Sequence, residues 1–145
     1  MALVEKSVLI EYSAAQMYAL VENISAYPEF LPWCGGTEIL KKEGDVTRAA
    51  IIIDFRGIKQ RFSTENRADP PQLIEMTLVD GPFRQLDGSW RFKSLGDAAC
   101  KIDFRLHYEF SSKLLEKIFG PVFQFIASTF VDAFVKRARQ VYGSR

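Results

Sequence analysis

The spacing of apolar residues predicts a strand and then a helix at the start of the chain. Apolar residues on one side of a strand from Leu3 to Tyr12 are Val4, Val8, Ile10 and Tyr12. Ser13 is a residue type that caps helix N-termini, and Met17, Leu20 and Val21 follow it at helical spacing. We therefore expect a strand, a capped helix and one further short helical turn near Ile24 to Ala26.

Residues from Thr37 to Phe110 follow the period-two pattern of strands. Turn signals divide this stretch at Lys42–Asp45, Arg56–Gly57, Asp69–Pro71, Asp80–Pro82 and Gly96–Asp97. In the last strand, apolar residues from Cys100 to Phe110 alternate without exception with polar residues from Lys101 to Glu109. The pattern predicts sequential antiparallel hairpins, with one apolar face and one solvated face.

After Ser112 the apolar period changes to about 3.6, and it stays helical to Tyr142, which predicts a helix of about 45 Å. Gly120 and Pro121 permit a kink within this helix or a short turn before a main helix that starts at Pro121. One arc of about 80° holds Phe119, Phe123, Ile126, Phe130 and Phe134. The opposite arc holds Gln124, Ser128, Asp132 and Arg139.

These elements predict an α+β fold in which the C-terminal helix lays its phenylalanine stripe on a curved antiparallel sheet. The 145 residues are 48% hydrophobic and 26% charged, which is typical of one globular domain spanning 1–145 and argues against disorder. A chain of this length builds a core without disulfides or structural metals. No apolar run approaches the roughly 18 residues of a membrane span.

The expected location is the cytoplasm, because the first residues have neither a secretory signal nor an Arg-rich transit segment. The net charge of +1 does not favour a particular partner. Cys34 and Cys100 lack the spacing of a zinc site, and the chain has one distant His, so we expect free thiols and no metal. No cofactor motif is present.

Three blocks of sequence resemble a known family. They are Tyr12–Tyr18 running into Tyr27–Cys34, Leu78–Phe83 with Leu86 and Trp90–Phe92, and Asp103–Phe110 followed by Gly120, Phe123, Ala127, Val131–Phe134 and Arg137–Ala138. They cover nearly the whole chain in order and resemble the coenzyme Q-binding START-domain family of the polyketide cyclase/START superfamily. The resemblance implies a helix-grip fold, with short helices after the first strand, and the bacterial branch.

That resemblance implies two activities. One is non-enzymatic binding of ubiquinone or a related isoprenoid lipid between the sheet and the C-terminal helix, in support of respiratory quinone function. The alternative is that of the family's ribosome association toxins, which bind the large (50S) ribosomal subunit and block subunit joining. A transient contact with a membrane surface is a further expected partner, and DNA is not expected.

The predicted ligand-binding set combines inward strand residues, the helix stripe and loop aromatics. Its members are Tyr27, Phe30, Trp33, Ile51, Ile53, Phe55, Gln60, Phe62, Thr64, Met76, Trp90, Phe92, Phe104, Leu106, Tyr108, Phe119, Phe123, Ile126, Phe130 and Phe134. Gln60, Thr64 and Asn66 fall on the same side as Phe62, as polar groups that orient a ligand do. The alternative interpretation of this inward set is an ordinary packed core.

Tyr27–Trp33 contains two prolines, which cannot continue a regular helix, and its aromatics belong to no periodic element. We interpret it either as a mobile cover over the cavity or as an ordinary loop folded over the sheet edge.

The outer sheet face carries several cations. The RNA-contact candidates are Lys59, Arg61, Arg67, Arg91, Lys93 and Arg105. They predict salt-dependent contact with ribosomal RNA or, alternatively, a solvated strand surface with cross-strand ion pairs.

Catalysis is not expected, and no residue is assigned a catalytic role. His107 is the natural acid or base, but alternation places it on the solvent side with Arg105 and Glu109, away from the predicted cavity. The chain contains neither a nucleophile elbow nor a glycine-rich phosphate loop.

Overall fold

The computed structural model describes residues 2–143. Along the chain the elements are β1 (Ala2–Ile10), α1 (Ala14–Glu22), a 3-10 helix (Ile24–Glu29), β2 (Cys34–Glu43), β3 (Val46–Phe55), β4 (Ile58–Asp69), β5 (Leu73–Asp80), β6 (Phe83–Ser94), β7 (Cys100–Phe110) and α2 (Lys113–Tyr142). The predicted order of strand, helices, strands and long helix is confirmed, although β1 ends two residues earlier than expected.

The seven strands form one curved antiparallel sheet in the order β1-β7-β6-β5-β4-β3-β2. From β2 to β7, strands adjacent in sequence pair as hairpins at the predicted turns, and β1 adds to the far edge beside β7. On β7 every residue of the apolar set is buried, and the alternate residues are more accessible. The strict alternation therefore identifies the core face correctly.

The start of α1 is held by reciprocal hydrogen bonds at its N-terminus. The backbone N–H of Gln16 donates to the Ser13 hydroxyl at 3.1 Å, and the Ser13 N–H donates to the Gln16 side chain at 2.9 Å. This capping box satisfies two backbone donors that the first helical turn leaves unpaired. The predicted cap is confirmed.

The 3-10 helix extends further than the sequence indicates, because it continues through Pro28 to Glu29. Proline supplies no N–H, but the Tyr27 carbonyl closes the turn by accepting from the N–H of Phe30 at 3.3 Å and that of Leu31 at 3.0 Å. The expected loop thus begins three residues later than predicted.

Pro121 lies inside one continuous α2 helix of 30 residues, so the alternative in which a main helix starts at Pro121 is wrong. The helix is capped by the Ser112 hydroxyl, which accepts from the Leu115 N–H at 3.1 Å. Its stripe packs on an aromatic cluster, in which the Trp90 ring lies 4.7 Å from Phe104 and 5.3 Å from Phe134 between centroids. These contacts fix α2 against the concave face of the sheet.

By length and composition alone, α2 is also long and apolar enough to cross a membrane, and within the described residues it is the one helix of this kind. The expectation that no apolar run approaches such a length is therefore wrong. The core helix of a soluble protein passes the same test, but only 28% of the apolar stretch in α2 is buried.

Candidate functional site: a cavity between the sheet and the terminal helix

A cavity of about 70 Å³ lies between the inner sheet face and the middle of α2. Its lining is almost wholly apolar: Ile24, Tyr27, Trp33, Ala49, Ile51, Phe62, Thr64, Asn66, Met76, Leu86, Phe104, Leu106, Phe123, Ile126, Ala127 and Phe130. Strand alternation on β3 to β7 supplies one wall, the α2 stripe supplies the other, and the 3-10 helix with its following loop closes one end. The sheet and helix therefore enclose space rather than meeting completely.

A second pocket of about 150 Å³ adjoins this cavity and shares four lining residues with it, namely Ile24, Tyr27, Asn66 and Met76. Its lining is more polar and includes Lys42, Gly44 and Asp45 at the tip of the β2–β3 hairpin. The Lys42 ammonium lies 3.2 Å from the Glu22 carboxylate at the end of α1, which joins the two sides of this pocket. We call this second pocket the outer pocket.

The polar side chains in the cavity lining are few and specifically placed. The Thr64 hydroxyl donates to the side-chain oxygen of Asn66 at 2.8 Å. This bond uses the Asn66 carbonyl, and its amide N–H₂ has no hydrogen-bond partner among residues 2–143. Asn66 borders both the cavity and the outer pocket, so it presents donors where the two meet.

Tyr27 is the lining residue with a titratable side chain, and it is not available as an acid or base. Its hydroxyl donates to the Val21 carbonyl at 2.6 Å, and burial raises the pKa of the phenol well above its ordinary value. The arrangement can hold an apolar molecule and donate hydrogen bonds to it, but its lining has no charged group ready for proton transfer.

The structure brings eleven of the predicted ligand-binding residues to the cavity. They are Tyr27, Trp33, Ile51, Phe62, Thr64, Met76, Phe104, Leu106, Phe123, Ile126 and Phe130. Asn66, which alternation placed on the same side, joins them. Ile24, Ala49, Leu86 and Ala127 also line it, and these were absent from the predicted set. The alternation pattern had placed Ala49 and Leu86 on the inner face. They were not selected as ligand-binding residues, because alanine and leucine are common in ordinary protein cores.

The other predicted residues lie elsewhere in the core. Trp90 lines the outer pocket, and Ile53, Gln60 and Phe119 line a void of about 10 Å³ near the start of α2.

The remaining five of these residues make ring contacts. Phe55 stacks on Phe125, Phe92 on Trp90, Phe30 packs edge-on against Phe134, and Tyr108 packs against Phe123. Periodicity gave the correct face for those on strands and on α2, but it could not tell the ends of the sheet from its middle, where the cavity lies, and it gave no position for the loop residue Phe30.

The aromatic segment 27–33 packs into the core and against α2. Tyr27, Leu31 and Trp33 are buried, and the Tyr27 ring lies 5.3 Å from that of Phe134. Burial of these side chains holds the segment against α2, so it forms part of the cavity wall.

The outer sheet face is a mixture of charges. The Arg61 guanidinium lies 3.3 Å from the Glu38 carboxylate, and that of Arg67 lies 3.4 Å from the Glu65 carboxylate. The strands also carry acids that offset cations elsewhere, such as Glu75 and Asp87 on β5 and β6. Among residues 2–143, four of the candidates have no ion-pair partner within 4 Å: Lys59, Arg91, Lys93 and Arg105. RNA contact stays a prediction. The candidate cations that remain unpaired among the described residues are these four.

His107 lies on this outer face, with its Nδ1 atom 3.8 Å from an Asp87 carboxylate oxygen. It is distant from the cavity, as alternation predicted.

Both Cys34 and Cys100 are buried free thiols, and burial raises the pKa of each. No group of three or more His, Cys, Asp or Glu side chains in the described part of the chain is arranged to hold a metal ion.

Comparison with known proteins agrees with this geometry. Residues 10–135 match the family model described as polyketide cyclase/dehydrase and lipid transport. The chain therefore belongs to this family. It is 45% identical over 140 residues, 97% of each chain, to the ribosome association toxin RatA of Vibrio cholerae. It is also 30% identical to coenzyme Q-binding protein COQ10 homolog B, mitochondrial, of Xenopus laevis, over 95% of this chain and 58% of that protein.

Solved structures share the helix-grip architecture. A START superfamily protein from Mycobacterium smegmatis superposes with a TM-score of 0.76 at 21% identity, covering 96% of this chain and 98% of the other. The Streptomyces aromatase/cyclase Zhui superposes with a TM-score of 0.79 at 16% identity, covering 97% and 95%. At these identities the likeness shows the fold alone. The START-like α+β fold and the family resemblance predicted from sequence are confirmed.

Proposed function

We propose that this protein binds an apolar small molecule of the isoprenoid quinone class between its sheet and α2, without transforming it. The observation that carries the proposal is an apolar cavity with the Asn66 amide at its junction with the outer pocket. A quinone head offers carbonyl acceptors and no donors, which matches an amide whose N–H₂ has no partner among the described residues. An isoprenoid tail matches the apolar walls.

The free energy of binding favours burial of an apolar molecule in this cavity. Apolar surface removed from water contributes about 25 cal/mol per Å², and a hydrogen bond from the Asn66 amide adds about 0.5–1.5 kcal/mol. No ion pair has to be broken inside the cavity among residues 2–143, since none of the described residues that line it is charged. Apolar area therefore supplies most of the affinity, and the amide sets the orientation of the head.

The cavity must enlarge to admit such a ligand, because drug-sized ligands occupy about 300–1,000 Å³. The outer pocket adjoins the cavity, and the contact across it is weak. The Lys42–Glu22 pair across it joins side chains that are 58% and 43% exposed, and such pairs contribute about 0–1 kcal/mol. Separation of the hairpin tip from α1 would widen the outer pocket, and displacement of the shared lining residues Asn66 and Met76 would then join it to the cavity.

The described residues that line the cavity provide no group suited to chemistry on the ligand. Acid–base catalysis needs a group whose pKa lies near the working pH. Burial moves the pKa of Tyr27 far from that condition, and His107 lies on the other face of the sheet. This protein shares its fold with an aromatase/cyclase, but we propose that here the fold binds a ligand without catalysing a reaction.

Fluorescence titration with a short-chain ubiquinone tests the proposal, because a quinone bound beside Trp33 quenches its emission. Ala127→Leu fills the cavity, whereas Ala133→Leu adds the same atoms to a partly buried position on α2 outside the lining. We expect saturable quenching in the parent protein and in Ala133→Leu, and at least roughly tenfold weaker binding in Ala127→Leu. Absence of saturable quenching, or equal affinity in both variants, would contradict the proposal.

A second candidate function is association with the large ribosomal subunit. The observation favouring it is the 45% identity, over 97% of both chains, to a protein named ribosome association toxin. The cations Arg91 and Lys93, neighbours on β6 without ion pairs among the described residues, are the proposed phosphate contacts.

Co-sedimentation with purified 50S subunits at low and high salt tests this candidate. Arg91→Glu with Lys93→Glu should abolish binding, and Lys41→Glu, an exposed cation on β2, should preserve it. Binding that is indifferent to salt and to the paired substitution would rule out phosphate contact by this face.

A further inference from the structure

The outward side of the first half of α2 carries an apolar stripe that the rest of the described chain does not cover. Leu114, Ile118, Pro121 and Phe125 follow one another at spacings that place them within an arc of about 60°. Leu114 is 67% exposed, and Ile118 and Phe125 are each 45% exposed. This arc is opposite the buried stripe. The polar residues predicted for the outer arc begin only near the end of this apolar stripe, at Gln124, Ser128, Asp132 and Arg139.

Cations border this stripe on both sides. Lys113 and Lys117 are exposed on one side, and on the other side the Phe55 ring stacks on Phe125 with 5.6 Å between centroids. The Arg56 guanidinium lies 4.9 Å from the centroid of the Phe55 ring, so it places a positive charge on this second side of the stripe.

Glu116 is the one acidic residue from Lys113 to Phe125. It lies on the side of β7, where burial and, second to it, the Glu116 charge raise the pKa of Tyr108. The exposed side of this half-helix is therefore apolar at its centre and positive at its edges.

We propose that this surface docks on an anionic lipid bilayer. An apolar helical face with a cationic border is the arrangement that inserts side chains into the acyl boundary while Lys and Arg meet acidic headgroups. Phe123 and Ile126 line the cavity from the same helix, so docking brings the cavity to within one helix diameter of the hydrocarbon. Docking would allow the protein to take up its apolar ligand from the membrane, and in this respect the inference rests on the proposed function.

The charge pattern favours a bilayer over a second copy of the chain. In a symmetric dimer the same patch meets itself, so the cationic borders of both copies would lie together, and the apolar arc from Leu114 to Phe125 holds no acidic residue to pair them. RNA would match the cations, but it would leave Leu114 and Ile118 against phosphate and water. An anionic bilayer satisfies both the apolar centre and the positive edge.

Co-sedimentation with vesicles of phosphatidylglycerol and phosphatidylcholine, compared with phosphatidylcholine alone, tests this docking. We expect the protein to bind the anionic vesicles, with binding that weakens as salt rises. Leu114→Ser with Ile118→Ser, and separately Lys113→Glu with Lys117→Glu, should each reduce partitioning on the order of tenfold.

Each double variant is compared with a single substitution of the same kind outside this surface. Leu9→Ser changes a 70% exposed leucine on β1, and Lys136→Glu changes an exposed lysine in the second half of α2. Both controls should bind like the parent protein.

The same variants are titrated with short-chain ubiquinone in the absence of vesicles, so that failure of docking and failure of ligand binding are read separately. Failure of the parent protein to bind anionic vesicles, or unchanged binding in both double variants, would overturn docking. Conversion of a dimer to a monomer by Leu114→Ser with Ile118→Ser would also overturn it, because it would assign the stripe to a second copy.

Discussion

The Thr64 hydroxyl donates a 2.8 Å hydrogen bond to the side-chain oxygen of Asn66, two residues along the same strand. Residues two apart on a strand point to the same face, so this bond joins neighbours on the inner face of β4. It holds the Asn66 amide with its oxygen toward Thr64 and its N–H₂ turned away. Thr64 is therefore a positioning residue for the donor that we propose meets a quinone carbonyl.

Thr64→Val tests this positioning. The substitution keeps the shape of the side chain and removes the hydroxyl, which frees the Asn66 amide to rotate. We expect the affinity for short-chain ubiquinone to fall about fivefold to tenfold, a loss typical of one hydrogen bond. Thr77→Val, which removes an exposed hydroxyl on β5, is the control in the same fluorescence titration. Equal affinities for both variants would remove Thr64 from this role.

Phe134→Ala should lower the free energy of unfolding by about 3–5 kcal/mol, because it opens a large void at a fully buried position. The Phe134 ring contacts those of Tyr27, Phe30, Trp90 and Phe130, so several elements lose packing together. Urea unfolding followed by circular dichroism measures the change.

Phe125→Ala is the matched control on the same helix, since its ring is 45% exposed. It should cost less than about 1 kcal/mol, as surface substitutions do. A comparable loss for both would show that the exposed stripe contributes to stability as much as the core does.

Ser13→Ala should destabilise the protein by about 1 kcal/mol, because the Gln16 N–H loses the Ser13 hydroxyl that accepts its hydrogen bond, whereas the backbone N–H of residue 13 can still donate to the Gln16 side chain. Ser128→Ala is the control, since its hydroxyl donates to a carbonyl within α2 and caps nothing. Thermal unfolding of both variants measures the difference. A smaller effect for Ser13→Ala than for Ser128→Ala would contradict the capping role of Ser13.

Stability should fall in alkaline solution because of Cys100. Burial raises the pKa of this thiol to about 11, whereas a thiol in an unfolded chain titrates near about 8.5. The unfolded state therefore loses its proton first. The contribution of Cys100 to stability is fully present below about pH 8.5 and is lost as the pH rises toward about 11.

Urea midpoints measured across this range should decline less steeply in Cys100→Ala than in the parent protein. Part of the slope should persist, because burial also raises the pKa of Tyr18, Tyr27, Tyr108 and Tyr142. An unchanged slope in Cys100→Ala would assign the whole effect to these phenols.

The fold could be predicted from the sequence where a single period dominates. Strict alternation from Cys100 to Phe110 and the 3.6 period of the stripe from Phe123 to Phe134 each specify one buried face, so both elements were predicted correctly. Pro121 left two interpretations open, because proline is found both inside kinked helices and at the first position of new ones.

The location of the cavity could not be predicted from the sequence, because alternation specifies a face and not a position along it. Phe62 and Phe55 lie on inward positions of neighbouring strands, but only Phe62 of the two lines the cavity, whereas Phe55 stacks on Phe125 at the end of the sheet. Sheet curvature and the path of α2 decide this difference. The exposed stripe of α2 was also not predicted, because polar residues from Gln124 to Arg139 occupy the same arc further along the helix.

Organic extraction of the protein purified from a quinone-producing bacterium, followed by mass spectrometry of the extract, decides whether this cavity is a ligand site. We expect an isoprenoid quinone in near-stoichiometric amount with the parent protein and with Ala133→Leu, and little with Ala127→Leu. An extract without quinone or other apolar lipid, together with no thermal shift when quinone is added, would show that the space between the sheet and α2 holds no such ligand.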